Sequence, residues 1–397
     1  MKKTGLLNNS LLWFGASVSI AEIMTGALIA PLGMQRGIAA ILIGHMIGGA
    51  LFFLAGLIGA KTGLGAMEST AISFGKSGSG VFSLLNVLQL VGWTAVMIIG
   101  ASRALSVIAD PVLGFEGGRI YSLAIGGLIV IWIALGIENL GMANSIAAGA
   151  LLVLVGVLSF VVFKGSGAAP AAGEMSFGAA VELSAAMPLS WLPLVSDYVK
   201  EAKRPGAANV VGSVTYFAGS SWMYIIGLAS AVYIGSADIA LIFSAAGLGV
   251  AGIIVIILST VTTTFLDAYS VGISAVNIFP KAGAKIFGIA ATVIGTVLAL
   301  TVSMEKYESF LYLIGSAFTP MITILMTDFF ILKNDSRKLK FDLKNLCIWV
   351  VGFVVYRVFM NLDFPVGTAL PSVVAISILT IIINKGVNLC LKKSSKA

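Results

Sequence analysis

Residues 11–33 read LLWFGASVSIAEIMTGALIAPLG, a run with one acid, Glu22, and no basic residue. Its length answers to a bilayer, because a hydrocarbon core of roughly 30 Å takes about 20 apolar helical residues to cross. Its middle does not read as a plain span. Small and polar residues cluster between Gly15 and Gly26, at a depth where lipid offers no hydrogen-bond partner. That cluster predicts a helix interrupted near the membrane midplane, where carriers of one large class expose backbone groups to solute and ion. The plainer alternative is that glycine and small side chains only let helices pack closely.

Comparable runs recur along the whole chain, at 11–33, 38–60, 81–108, 120–140, 142–163, 178–198, 207–235, 249–279, 282–304, 306–332, 343–362 and 367–391. They predict an all-α integral membrane protein of about 12 transmembrane helices. Composition agrees: 58% of the residues are apolar and 10% charged, against about 25% charged in soluble domains. The alternating ten-residue segments of an outer-membrane barrel are absent. The first run follows only Lys2 and Lys3 and lacks a small-residue cleavage pattern, so it reads as a retained helix. A short apolar stretch at 239–247 suits an interfacial half-helix. The polar stretches are too short to build a separate soluble core.

An even number of spans puts both termini on one side, and Lys and Arg choose the side. With the N-terminus inside, Arg36, Arg103, Arg119, Lys164, Lys306 and Arg357 fall outside, leaving 18 of the 24 basic residues inside. The expectation is a cell-membrane protein with both termini cytoplasmic. The net charge of +7 then follows from topology, and no nucleic-acid partner is needed to explain it. Cys347 and Cys390 lie in late apolar segments without zinc spacing and read as packing residues.

The sixth run holds the second expected break. It contains Met187, Pro188, Ser190, Trp191 and Pro193, and the two prolines remove two intrahelical donors. Breaks in the first and the sixth spans have the spacing of a five-plus-five inverted repeat.

Polar residues at depth come next. An acid at a helix centre costs roughly 2.5–3.5 kcal/mol on insertion scales, so each needs a partner or a cavity. Glu22 and Asp267 lie furthest from any expected membrane edge, whereas Glu138, Glu182, Asp197 and Asp328 lie near span ends, where solvated or loop-pairing roles are expected. His45 reads as a satisfied packing histidine, with a proton relay as the alternative. In the eighth run, Ser259, Thr262 and Thr263 share one helix face, so their oxygens can converge on one point. A hard cation such as sodium suits such a set; hydrogen bonding between helices or back to the helix's own carbonyls is the alternative. In the third run, Gln89 and Trp93 lie four apart, an amide beside an aromatic plate, as a flat heteroaromatic solute requires. Packing alone also accounts for a tryptophan there. A membrane enzyme is disfavoured by a single histidine and the lack of a cysteine pair or repeated carboxylate motif. A passive channel would need no ion site.

Taken together, the opening run, QLVGW at 89–93, SDYVK at 196–200 and STVTT at 259–263 resemble the nucleobase:cation symporter-1 family, and within it the hydroxymethylpyrimidine permeases that supply a thiamin precursor. The family includes cytosine permease. The resemblance implies a LeuT-like five-plus-five inverted repeat with two additional C-terminal helices, dividing the chain into 1–164, 176–333 and 343–397. It implies a monomeric secondary transporter taking a small heteroaromatic solute by alternating access, with sodium as coupling ion and no cofactor. By position, Gly15, Val18, Ser259, Thr262 and Thr263 look like the sodium ligands. The expected substrate set is Ser19, Glu22, Gln89, Trp93, Ser190, Trp191 and Asp267. Two departures stand out. Pro188 occupies the place of the family's helix-six aromatic, which leaves Trp191 as its substitute, and Asp267 and Tyr269 lie where relatives carry Asn. Both point to a more amidine-like ligand than cytosine or hydantoin. A purine, cytosine or other nucleobase, and proton rather than sodium coupling, are the alternatives.

Overall fold

The computed structural model describes residues 3–135, 141–164, 173–234, 249–281 and 283–394. The stretch 239–247, residue Glu138 and the side chain of Cys390 lie outside them. The architecture is all-helical. Helices α1 (Leu6–Ser17) and α2 (Ile20–Leu28) meet at a bend of 49°. They are followed by α3 (Gly33–Thr62), the short α4 (Ala66–Ser69) and α5 (Ala71–Phe74), and the long α6 (Lys76–Leu113). Next come α7 (Gly118–Leu135), α8 (Gly141–Lys164), α9 (Phe177–Ser190), α10 (Val195–Val199) and α11 (Pro205–Ala229). The chain continues through α12 (Gly249–Ile278), α13 (Ala284–Thr301), α14 (Tyr307–Met326), α15 (Leu343–Phe359) and α16 (Ala369–Ser394). Among the described residues, seven helices are long and apolar enough to cross a membrane, or eight with the bent pair α1–α2.

The outside of this bundle is greasy and much of its inside is polar. Leu370, Val374, Ile378 and Ile382 form an exposed stripe on α16, and Val350, Val354 and Val358 form one on α15. Such stripes at helical spacing need a lipid neighbour, since a water-facing surface of this extent would associate. Cys347, expected to pack, instead lies exposed on α15 as a free thiol. Inside, close approach replaces bulk. A Cβ at Gly26 would strike the Tyr224 backbone and one at Gly227 the Ile23 carbonyl, so α2 and α11 meet backbone to backbone.

Both expected interruptions are present. Val18 and Ser19 leave helical geometry at φ −99°, ψ 81° and φ −131°, ψ 159°. Ser19 then caps α2, its Oγ accepting from the Glu22 N–H at 3.3 Å. In the second, Pro188 lies inside α9 and Pro193 in the turn that separates α9 from α10.

The acids near span ends are more buried than a solvated role allows. Glu182 accepts from Tyr356 Oη and from the Thr368 and Ala369 N–H groups at 2.6 and 2.7 Å, capping the start of α16. Asp197 accepts from the Ala66 N–H at 2.7 Å and from Ser270 Oγ at 3.2 Å, fastening α10 to the start of α4 and to α12. Asp328 accepts from Asn334 and Asn345 at 2.9 and 2.8 Å. Each satisfies donors that a membrane interior could not hydrate.

Candidate functional site

The two interruptions face one cavity. It is lined by Ala16, Ser19, Ala21 and Glu22 from the first break, by Leu90, Trp93 and Met97 from α6, by Met187, Ser190 and Trp191 from the second break, and by Thr263 and Asp267 from α12. Six of the seven expected substrate residues therefore share one enclosure.

Gln89 is the seventh, and it lies behind the wall. Its Nε2 donates to the Ser190 carbonyl at 3.1 Å and to Asn86 Oδ1 at 3.2 Å. Asn86 in turn donates to the Pro193 carbonyl at 3.2 Å and to Ser274 Oγ at 2.8 Å. The prolines and the turn strip α9 and α10 of regular helical pairing there, and two amides on α6 supply the missing donors. The proline pair signals freed carbonyls, but nothing in the sequence points to Asn86 and Gln89 as their partners. Among the described residues, neither Gln89 Oε1 nor the indole N–H of Trp93, both buried, has a hydrogen-bond partner. Trp93 is held edge-on by Phe310 and Tyr307, with ring centroids 5.6 and 6.1 Å away. Trp191 is held edge-on by Trp13 at 5.5 Å. Ser190 Oγ is turned back on the Met187 carbonyl at 2.7 Å.

The two deep acids differ in company. Glu22 is 1% exposed and accepts from Tyr216 Oη at 3.0 Å and Ser220 Oγ at 2.8 Å, both on α11. Thr25, one turn further along α2, donates to the Ala21 carbonyl at 2.7 Å and meets Tyr307 Oη at 2.9 Å. Asp267 is 5% exposed, and among the described residues no hydrogen bond or ion pair reaches its carboxyl group. Tyr269 lies elsewhere, its ring 5.6 Å from that of Tyr198.

The first break and α12 also meet directly. Ser259 Oγ donates to the Val18 carbonyl at 2.6 Å, and Thr263 Oγ1 lies 3.5 Å from the Gly15 carbonyl. Thr262 departs from the expected convergence: its hydroxyl is turned back on its own helix, to the carbonyls of Leu258 at 2.8 Å and Ser259 at 3.2 Å. Four oxygen-bearing groups, two main-chain and two hydroxyl, are thus gathered beside the cavity, with Thr263 common to both.

Residues 1–377 match the family model described as permease for cytosine/purines, uracil, thiamine, allantoin. Among curated proteins, the cytosine permease of Escherichia coli strain K12 is 29% identical over 336 residues, covering 82% of this chain and 78% of that protein. Among solved structures, Mhp1, a nucleobase-cation-symport-1 family transporter with bromovinylhydantoin bound, superposes with a TM-score of 0.81 at 19% identity, over 97% of this chain and 93% of that one. A Na⁺-coupled sialic acid symporter gives 0.69 at 16% identity, over 96% and 90%. These likenesses establish the fold.

Proposed function

The chain belongs to the family of permeases for cytosine/purines, uracil, thiamine and allantoin, and on that premise we propose that it imports an aminopyrimidine, with hydroxymethylpyrimidine as the leading substrate, by sodium symport. The observation that carries this reading is Asp267, a buried carboxyl group that lines the cavity together with Glu22 and has no partner among the described residues. A buried acid needs a donor, and an exocyclic amino group beside a protonated ring nitrogen presents two parallel donors to one carboxylate. Uracil presents no such edge. Trp93 serves as the stacking plate, while Gln89 acts from behind the wall, its Nε2 holding the Ser190 carbonyl in place. Ser19, Ser190, Trp191 and Glu22 complete the lining.

Sodium is a cargo in this reading. Carbonyls of Gly15 and Val18 and the hydroxyls of Ser259 and Thr263 suit a hard cation, with Thr262 joining only if its hydroxyl turns from Leu258. Because Thr263 also lines the cavity, an ion there would bias the shape presented to solute. Alternating access through about 12 spans, a five-plus-five repeat over 1–164 and 176–333 with extra helices in 343–397, and cytoplasmic termini complete the reading.

The second reading is cytosine, favoured by the Escherichia coli cytosine permeases. Counterflow into proteoliposomes separates the two. Hydroxymethylpyrimidine should compete best, cytosine less and uracil least. Cytosine in first place installs the second reading, and equal competition by uracil removes the role given to Asp267.

A further inference from the structure

Glu22 continues, through Ser220 on α11, to His45 on α3 and Ser184 on α9, so that four helices share one buried chain of polar atoms. His45 Nε2 lies 2.6 Å from Ser220 Oγ, and Ser220 Oγ lies 2.8 Å from Glu22 Oε2. On the other side of the ring, Nδ1 lies 2.7 Å from Ser184 Oγ and 3.1 Å from the Ile41 carbonyl, which Ser184 also reaches at 2.7 Å. His45 and Ser220 are fully buried, and Glu22 forms part of the cavity wall.

The hydrogens follow from which atoms can only accept. The Ile41 carbonyl accepts, so the nitrogen facing it, Nδ1, carries hydrogen, and Ser184 passes its own hydrogen to Ile41. The remaining question is how Ser220, with one hydrogen, serves both Nε2 and Glu22. If both are bare, one of them faces a lone pair. If both are protonated, the Ser220 hydrogen has no acceptor in the chain. Only one added proton satisfies every atom, and it does so in two ways. Either Glu22 is a carboxylic acid donating to Ser220, which donates to neutral His45, or His45 is an imidazolium donating to Ser220, which donates to the Glu22 carboxylate.

The geometry points to a proton site: Glu22, Ser220 and His45 together bind a single proton that moves between the carboxyl group and the imidazole. In the move, the Glu22 O–H bond breaks as one forms on Ser220, whose original O–H breaks as an N–H forms on Nε2. Charge and atoms balance, and nothing leaves the site. A donor-bearing solute beside Glu22 favours the carboxylate and sends the proton to His45 instead of expelling it. That last step rests on the cavity being the substrate site, as proposed above; the proton site itself does not.

The other titratable groups around the relay are three tyrosine hydroxyls and two acids. Tyr216 donates to Glu22 Oε1, Tyr224 packs its ring 4.7 Å from His45, and Tyr307 at the start of α14 lies within electrostatic reach of Glu22. Asp267 of α12 shares the cavity, while Glu182 of α9 is committed to Tyr356 and the start of α16. Among the described residues, neither Glu22 nor His45 has an ion pair.

His45 is the sole histidine of the chain, so ¹⁵N-histidine labelling reports on it alone, provided the purification tag carries no histidine. Full-length protein in lipid nanodiscs, without solute, is titrated by NMR across the pH range in which it stays folded. Nδ1 should carry hydrogen throughout, with only Nε2 gaining or losing it. In Glu22→Gln, whose amide donates permanently to Ser220, His45 should stay neutral, or its titration should move by about one pH unit or more, a tenfold change in proton affinity. Should that variant misfold, Ser220→Ala must change the Nε2 signal and Ser220→Thr must restore it. A bare Nδ1 in the wild-type protein, or a His45 signal indifferent to Glu22→Gln, or to Ser220→Ala where Glu22→Gln misfolds, overturns the proposal. Since the readout uses neither solute nor sodium, it fails independently of the transport reading.

Discussion

Ser259 on α12 donates its hydroxyl proton to the carbonyl of Val18 across 2.6 Å, joining the end of α1 to a helix 241 residues later in the chain. With Thr263 and Gly15 one turn along, this seam closes one side of the cavity. If a sodium ion takes the seam, Thr263→Ala removes one of its oxygen ligands. The expected outcome is a loss of about tenfold or more in apparent sodium affinity, equivalent to about 1.4 kcal/mol. Sodium titrations of uptake at constant pH check it, and a wild-type protein indifferent to sodium would move the coupling to protons.

Trp93 stands in the wall with its ring fixed by Phe310 and Tyr307, and its N–H has no partner among the described residues. A base stacked on an aromatic side chain is worth about 1–3 kcal/mol. Trp93→Ala should therefore weaken substrate binding by about ten- to a hundredfold, with the protein still monodisperse in detergent. Scintillation-proximity binding measures it; an affinity equal to wild type returns Trp93 to packing.

Asn86 and Gln89 carry a different kind of prediction, one of stability. Their amides serve the carbonyls of Pro193 and Ser190 at the second break. Removing a donor from a buried carbonyl costs about 1–3 kcal/mol. Asn86→Leu should lower the thermal midpoint of the purified protein even without solute, since Asn86 does not line the cavity. An unchanged midpoint would mean that water or the backbone replaces the amide.

What the sequence made legible was local. The Gly15–Gly26 cluster and the Pro188–Pro193 pair gave the two interruptions, because the residues that break a helix sit where it breaks. What closes each interruption was not legible. Gln89 meets Ser190 and His45 meets Ser184 and Ser220 across more than 100 residues, and helical periodicity gives a face but not the helix opposite. Thr262 shows the finer limit. It shares a face with Ser259 and Thr263, yet its rotamer satisfies the Leu258 carbonyl in place of the shared point. The acids at span ends were likewise placed by depth but not by partner, since the backbone groups that Glu182 and Asp197 cap belong to distant turns.

Orientation rests on the basic residues alone. With 18 of 24 on one side, both termini should be cytoplasmic. Alkaline phosphatase fused at the C-terminus should be inactive and a fluorescent protein there should fluoresce; the reverse pattern would invert the topology or change the parity of the spans.

Asp267 gives the sharpest separation between substrate classes. Its carboxyl group is buried, lines the cavity and meets no donor among the described residues, so in the loaded carrier the solute is the natural source of one. An aminopyrimidine protonated at the ring nitrogen offers two donors to the carboxylate, whereas the same edge of uracil offers a carbonyl oxygen that would face the acid lone pair to lone pair. Asp267→Asn keeps the volume and replaces one acceptor oxygen with an N–H₂ donor. Hydrogen bonds to charged groups contribute about 1.5–3 kcal/mol, so the variant should bind aminopyrimidines about tenfold or more weakly. It should also narrow or reverse their preference over uracil, because the new N–H₂ can donate to the oxo group. The two effects must appear together in competition binding. A uniform loss for every ligand would mean that Asp267 shapes the cavity without reading the solute, and an unchanged selectivity would leave hydroxymethylpyrimidine resting on the family resemblance alone.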